Sequence, residues 1–298
     1  MKILFAFYLQ SLNSPFTIDK FVFLYIIITI IFTRDFVMTA EKMLHFVKQI
    51  GFYVSDKPKA FGLFHICWLV VTVVAILLAL KFYNKKLLRI SYIVTASVMI
   101  VGEIYKQFIL SYNQTGAFKY QWYYFPMQFC STPIYTFTLC AILGKGKLYD
   151  WLSVYNGTYC LFAGLTVLAV PSTVYSNYLG ICIQSMLHHV LMVIVGAIAL
   201  KTYAKNLSIR LFLGALGVFL FFFIIAEIIN FVIPTLTSQQ VNMYFISKGM
   251  DLDMPILSHV KKAFPYPIFV SMYALVYTEI SIGVAYLFYK IANLKKKY

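Results

Sequence analysis

Seven long apolar runs divide the chain, and each is long enough to cross a membrane as a helix. They lie at about 61–81, 90–112, 122–143, 150–171, 178–200, 209–233 and 267–290. A hydrocarbon core of about 30 Å needs roughly 20 apolar residues in a helix. Backbone polar groups in lipid must also be satisfied within the segment, which favours helix. The pattern therefore predicts an all-α, polytopic transmembrane bundle of about seven core spans.

The first sixty residues predict an N-terminal extension. The apolar run 21–32 is short for a span, and it fits either an extended crossing or an interfacial segment. Thr39, followed by Glu41, is typical of a helix start, and apolar residues then recur at helical spacing through 43–50, which predicts an amphipathic surface helix. An alternative is that translation begins at Met38 or Met43. The predicted organisation is an extension over 1–60 and a seven-helix domain over 61–298 with a loop at 234–266.

Composition supports a membrane protein. Hydrophobic residues make up 61% of the chain and charged residues 12%, with a mean hydropathy of +0.80. Soluble proteins are roughly half apolar and about a quarter charged. The five cysteines lie in apolar runs without a CxxC pair, so no metal site, disulfide framework or cofactor is predicted.

The net charge of +15 resides in short connections, which argues against nucleic-acid binding and favours membrane lipids as partners. Thirteen Lys and Arg residues lie in alternate connections and the C-terminal tail, against four on the other side. The positive-inside rule then predicts a multi-pass protein of the cell membrane with a cytoplasmic C-terminus. The predominance of lysine over arginine favours a bacterial source. Nothing in the sequence predicts an oligomeric state.

Polar residues in the spans concentrate in the half predicted to face outward. Such residues are costly in lipid and are therefore functional candidates. The candidates are His65, Glu103, Lys106, Gln128, Cys130, Gln184, His188, His189, Glu227 and Asn230, with Asn242 in the following loop. Glu103 and Lys106 are spaced to share a helix face. Their common depth predicts a shared polar cavity.

A cysteine and a histidine in one cavity can act as nucleophile and general base in acyl transfer. Gln128, Asn230 or Asn242 are candidate donors to an oxyanion. Each of these residues could instead have a purely structural role. Cys130 could be an ordinary membrane cysteine, His188 or His189 an interhelical hydrogen-bond partner, and Glu103 with Lys106 a structural ion pair. Two other classes stay open: a transporter or small-solute binding protein without catalytic activity, and a structural membrane component.

Several short stretches resemble the YwaF family of bacterial integral membrane proteins, which is similar to the eukaryotic transmembrane protein 164 acyltransferases. The resemblance spans about 43–290 and rests on FGLFH at 61–65, FPMQFCS at 125–131, the Gly164 region to Pro171, the pair His188–His189, NMYF at 242–245 and PILS at 255–258.

In the acyltransferase relatives, a cysteine and a histidine about 58 residues later form the proposed catalytic pair. Cys130 matches the cysteine, and His188 and His189 lie 58 and 59 residues further on. The relatives usually have glycine after the histidine, whereas Val190 follows His189 here. We favour His189 as the base. The resemblance implies acyl transfer on lipids, although it implies no established reaction for the bacterial family. The predicted orientation and the depth of the polar residues place such a site in the outer half of the bilayer.

Overall fold

The computed structural model describes residues 39–251 and 255–294. Within this part, six helical stretches are long and apolar enough to cross a membrane. They are α2 (Leu63–Lys81), α3 (Lys85–Tyr112), α5 and α6 (Lys147–Tyr155 and Leu161–Ala169, joined by a π-helical turn), α7 (Leu179–Tyr203), α8 (Ile209–Thr237) and α10 (Tyr266–Leu294). With a shorter apolar helix at Phe129–Leu143, they confirm the predicted all-α polytopic bundle. The run 21–32 and the alternative start at Met38 lie outside the described residues.

Two further helices lie outside the spans: α1 (Ala40–Ile50) and α9 (Pro255–Ala263). The predicted start of α1 is confirmed, because the Thr39 hydroxyl accepts a hydrogen bond from the Lys42 amide at 3.4 Å. Val47 of α1 is fully buried and packs with Ile109 and Ile181, near the ends of α3 and α7. The amphipathic helix is therefore attached to the bundle by its apolar face.

The third predicted span differs from the prediction of one continuous helix over 122–143. Short 3-10 turns occupy Trp122–Tyr124 and Phe129–Ser131, and the α-helix α4 covers only Thr132–Leu143. The two prolines explain the break. Pro126 disfavours helix at Phe125, which is extended, and Pro133 lies in the first turn of α4, where its missing amide donor is tolerated. The apolar helix Phe129–Leu143 extends only about 22 Å, which is less than the hydrocarbon core of about 30 Å.

The surface that the long helices expose around the bundle is apolar. Exposed aliphatic and aromatic side chains cover the long helices, among them Val70, Leu77, Ile104, Phe231 and Leu275. Contiguous apolar surface of this kind marks contact with lipid or a partner. Together with the length of the helices it defines a membrane-embedded surface.

Helix α7 occupies the centre of the bundle. It contacts α2, α3, α5, α6, α10 and the π-helical turn Asn156–Cys160. Its approach to the π turn depends on Gly196, where a Cβ atom would lie 2.9 Å from the Asn156 carbonyl oxygen. The other closely packed pairs are α3 with α4 and α5 with α8.

The π-helical turn contributes a polar network that is fully buried. Thr136 donates to Asn156 Oδ1 at 2.6 Å, and Asn156 Nδ2 donates to Cys140 Sγ at 3.8 Å. Cys160 Sγ lies 3.6 Å from the same Oδ1. Asn156 thus links α4 to the π turn. Single π turns within α-helices frequently occur at functional sites.

The two ends of the bundle differ in charge. Connections 82–84, 144–146 and 204–208 lie at one end. It is here called the lysine-rich end, because the helix ends beside these connections add Lys81, Lys85, Lys86, Arg89, Lys147, Lys201 and Arg210 to Lys145 and Lys205. Connections 113–131, 170–178 and 238–265 lie at the other, here called the lysine-poor end. The broken third segment, α1 and the longest connection are all at the lysine-poor end.

Candidate functional site

Cys130 lies in the 3-10 turn that precedes α4, at the lysine-poor end, and its side chain is partly buried. The His188 ring of α7 contacts this residue, with Nε2 2.9 Å from the Cys130 carbonyl oxygen. A carbonyl oxygen can only accept, so His188 Nε2 must carry the proton. The contact fixes an imidazole against the backbone of the predicted nucleophile.

His189 lies beside His188, with ring centroids 5.3 Å apart. Its Nδ1 is 2.7 Å from the Ser185 carbonyl oxygen and therefore carries the proton. Its Nε2 is buried and has no hydrogen-bond partner in the described part of the chain. In the neutral ring this nitrogen is a bare acceptor, which is the form that a general base requires.

Gly164 of α6 brings the helix backbone up against this histidine. A Cβ atom at Gly164 would lie 2.8 Å from Val193 Cγ2 and 3.2 Å from the His189 carbonyl oxygen. The glycine therefore permits α6 and α7 to pack closely at the depth of the imidazoles.

No hydrogen bond joins Cys130 Sγ to either imidazole among residues 39–251 and 255–294. Hydrogen bonds of catalytic groups are often long in a resting enzyme and form only with substrate bound. In this structure His188 thus meets Cys130 through the backbone carbonyl, and the thiol makes no hydrogen bond to either ring.

A charged group flanks the cysteine on α3. Lys106 Nζ and Glu103 Oε2 form an ion pair at 2.8 Å, which confirms the shared helix face predicted from their spacing. Gln107 donates to Glu103 Oε1 at 2.7 Å. Gln107 Nε2 also donates to the Tyr124 carbonyl oxygen at 2.7 Å, which joins α3 to the segment that contains Cys130. Gln184 of α7 packs over Gly102, one helical position before Glu103, so α3 and α7 present their polar residues to the same region.

The electrostatic influence of Glu103 also extends into the connection that follows α3. Partial burial and the Glu103 carboxylate together raise the pKa of Tyr120. The Tyr120 backbone carbonyl accepts a hydrogen bond from Gln239 at 3.0 Å, so this connection is joined to the long loop after α8.

The loop after α8 is attached over the cysteine segment by three predicted residues. Gln128 Nε2 donates to the Asn242 carbonyl oxygen at 2.8 Å. Asn230 accepts from the Met243 amide at 2.7 Å and donates to its carbonyl at 3.0 Å. These contacts occupy Gln128 Nε2 and both polar atoms of the Asn230 amide, whereas Gln128 Oε1 is buried and has no partner among the described residues. Asn242 uses Oδ1 to accept from the Ser247 amide at 2.9 Å, and for its Nδ2 the described residues provide no hydrogen bond.

Two tyrosines that the sequence did not single out for chemistry lie in the aromatic cluster around Phe129, the residue before Cys130. Tyr244 and Tyr273 are buried, and their hydroxyl groups have no partner among the described residues. Tyr273 stacks on Tyr277, whose ring lies edge-on to Phe129 at 5.2 Å between centroids. Tyr244 adopts a left-handed backbone with φ of 56° and packs on Phe129 at 5.4 Å between centroids. Such strain in a bulky residue is typical of functional sites, but an aromatic residue in an apolar sequence gives no signal for it.

The structure places two predicted residues in other contacts. His65 is fully buried, accepts from the Phe61 amide at 2.9 Å and contacts the Leu168 carbonyl at 2.7 Å. Both ring nitrogens are thus occupied in joining α2 to α6. Glu227 accepts from the Tyr266 hydroxyl at 2.7 and 2.9 Å, which joins α8 to α10.

Nothing in the described part of the chain groups three or more His, Cys, Asp or Glu side chains as a metal site would require. The polar groups around Cys130 are instead a thiol, two imidazoles, an ion pair, amides and phenols.

The helices define a class: an all-α, multi-pass membrane protein, in which a histidine of α7 contacts the cysteine segment near one end of the bundle. The sequence model of the TMEM164 family matches residues 60–289, which include α2 to α9 and most of α10. The chain therefore belongs to the TMEM164 family. No curated protein and no solved structure matches it.

Proposed function

We propose that this chain is a membrane acyltransferase that uses Cys130 as its nucleophile and the His188–His189 pair as its base. The observation that carries the proposal is the contact of His188 with the Cys130 carbonyl, beside a second imidazole whose Nε2 is bare. His188 is held in place by that contact. We assign the proton transfer to His189, because its buried Nε2 has a free lone pair.

The reaction has two balanced steps. In the first, the imidazole accepts the thiol proton, Sγ attacks the ester carbonyl of a lipid, and the released alcohol takes the proton. This leaves the acyl group as a thioester on Cys130. In the second, the hydroxyl of an acceptor lipid attacks the thioester, its proton passes to the imidazole, and the thiol is regenerated. Asn242 Nδ2 and the hydroxyls of Tyr244 and Tyr273 are the donors proposed for the oxyanion.

The lipid class of the substrate follows from the surroundings. The site lies within a bundle whose outside is apolar, so an ester embedded in the bilayer can reach it laterally. We propose that the lysine-poor end faces outward, which locates the reaction in the outer half of the cell membrane. Within the TMEM164 family, the motifs at 61–65 and 125–131 and the bias toward lysine favour the bacterial, YwaF-like branch.

Replacing Cys130 tests the proposal. Membranes containing the Cys130→Ala variant are expected to lose exchange of a labelled acyl chain between a phospholipid and a lysophospholipid. Cys67→Ala is the matched control, because Cys67 is an exposed cysteine on α2. Mass spectrometry of the wild type should find a hydroxylamine-sensitive acyl group on Cys130. Unchanged exchange in Cys130→Ala contradicts the proposal, and substrate-dependent solute flux in that variant would favour the transporter alternative.

Glutamine variants can distinguish the roles of the two histidines. Glutamine at 188 can still donate to the Cys130 carbonyl, but glutamine at 189 cannot accept a proton as a base. We expect His189→Gln to reduce exchange by a factor of about 10²–10⁴, the usual contribution of general base catalysis, and His188→Gln to reduce it less. The opposite order would assign the base to His188.

A further inference from the structure

A groove of about 910 Å³ lies on the lysine-rich half of the bundle, away from Cys130. It runs between the first half of α8, helix α5 and the end of α4. Its apolar lining includes Leu148, Trp151 and Phe221, and Arg210 lies at its end. No residue of the cysteine–histidine site lines it.

Two glycines of α8 create the floor of this groove. The Trp151 ring lies directly on Gly214, where a Cβ atom would be 2.1 Å from Trp151 Cδ1. One helical turn further, Gly217 faces open space, with nothing within 4 Å of a Cβ position. The groove is therefore empty space next to the α8 backbone, bounded on one side by the tryptophan.

The length of the groove matches one leaflet of a bilayer. From Arg210 to Phe221 helix α8 rises about 16 Å, against roughly 15 Å for half of the hydrocarbon core. An elongated apolar group with one end at Arg210 would thus extend from the headgroup region to the bilayer centre. That is the geometry of a single acyl chain of a phospholipid.

The charge at the open end selects the headgroup. Arg210 is the one charged residue among those lining the groove in the described chain. Lys145 and Lys147 follow α4, and the Arg89 guanidinium lies 3.4 Å from a Cβ position on Gly144. The nearby carboxylate of Asp150 is hydrogen-bonded to Tyr203 at 2.6 Å. This end of the groove is therefore electropositive and suits a phosphate, which arginine binds with paired hydrogen bonds.

We propose that this groove binds one anionic phospholipid, with an acyl chain along Gly214 and Gly217 and the phosphate on Arg210. The site is independent of the proposed acyl transfer, because it lies in the opposite half of the bundle and shares no residue with it. Its occupant is a resident lipid rather than a substrate.

The test is native mass spectrometry of the full chain in detergent with added phosphatidylglycerol or phosphatidylcholine. The wild type is expected to retain phosphatidylglycerol in preference to phosphatidylcholine. Arg210→Gln should weaken phosphatidylglycerol binding roughly tenfold, the effect of losing a charge-assisted contact, and reduce the preference for it. Lys262→Gln, at the lysine-poor end, is the matched charge control.

Gly217→Trp should fill the groove and reduce retention of both lipids. Gly283→Trp is its control, because Gly283 of α10 also has nothing within 4 Å of a Cβ position. Equal phosphatidylglycerol binding by wild type and Arg210→Gln would overturn the proposal. A dimer that Gly217→Trp dissociates, with lipid retention unchanged, would also overturn it and assign the groove to a second copy of the chain. Because Arg210 is exposed, its variant tests the proposal even if the tryptophan variant fails to fold.

Discussion

Asn230 shows how one side chain can hold a loop over a membrane site. The Asn230 side chain accepts a hydrogen bond from the Met243 amide at 2.7 Å and donates one to the Met243 carbonyl at 3.0 Å. Both residues are buried. Replacing it with alanine would leave a buried donor and a buried acceptor without partners. Each unsatisfied group costs about 1–3 kcal/mol.

We therefore expect Asn230→Ala to lower the melting temperature in detergent by several degrees and to loosen the loop that carries Asn242 and Tyr244. Asn206→Ala is the control, because Asn206 is exposed at the lysine-rich end. Proteolysis of the 238–251 loop should accelerate only in the first variant. Equal melting temperatures of the two variants would show that Met243 finds other partners.

For individual residues, the sequence predicted which helix face a side chain lies on better than it predicted the hydrogen-bond partners of that side chain. The spacing of Glu103 and Lys106 was enough to predict their ion pair. It was not enough to predict that both nitrogens of His65 bind backbone groups, because those partners lie on residues with no polar side chain. Asn230 was a candidate oxyanion donor, but its amide is occupied by the backbone of Met243. The sequence could not show this either, because the partner is again a residue with an apolar side chain.

At the scale of elements, length and hydropathy predicted most spans, but not how the helices are interrupted. The breaks in the third segment follow from Pro126 and Pro133, which were visible in the sequence. The π turn at Asn156–Cys160 gives no comparable signal. A π turn contains one more residue than an α-helical turn, and this does not change the hydropathy of the span. Asn156 bonds to Thr136 and Cys140 of α4, and these contacts depend on how the two helices pack.

The network around Asn156 makes a prediction for the joint between α4 and the π turn. Asn156→Ala removes the acceptor of Thr136 and the donor to Cys140. Polar contacts between membrane helices contribute roughly 0.6–2 kcal/mol, so we expect a measurable loss of thermal stability in detergent. Thr166→Ala on α6 is the control, because its exposed hydroxyl bonds only within its own helix, to Phe162. A variant at 156 as stable as that control would mean that the network contributes specificity rather than stability.

For the whole molecule, the two proposed sites lie in opposite halves of one bundle. The cysteine–histidine site is at the lysine-poor end, and the groove with Arg210 is at the lysine-rich end. The anionic lipids of a cytoplasmic leaflet attract basic residues, so the same orientation that faces Arg210 toward them faces Cys130 outward. One measurement of topology therefore bears on both.

That measurement is labelling with a membrane-impermeant maleimide in a variant without the five native cysteines. Lys119→Cys and Lys145→Cys introduce exposed thiols into connections at the two ends of the bundle. We expect the thiol at 119 to be labelled in intact cells and the thiol at 145 only after permeabilisation, because the positive-inside rule retains the lysine-rich connections in the cytoplasm. The reverse pattern would move Cys130 to the cytoplasmic half, where an acyltransferase would meet lipids of the inner leaflet. It would also turn Arg210 away from the cytoplasmic surface potential on which its preference for anionic lipid partly depends.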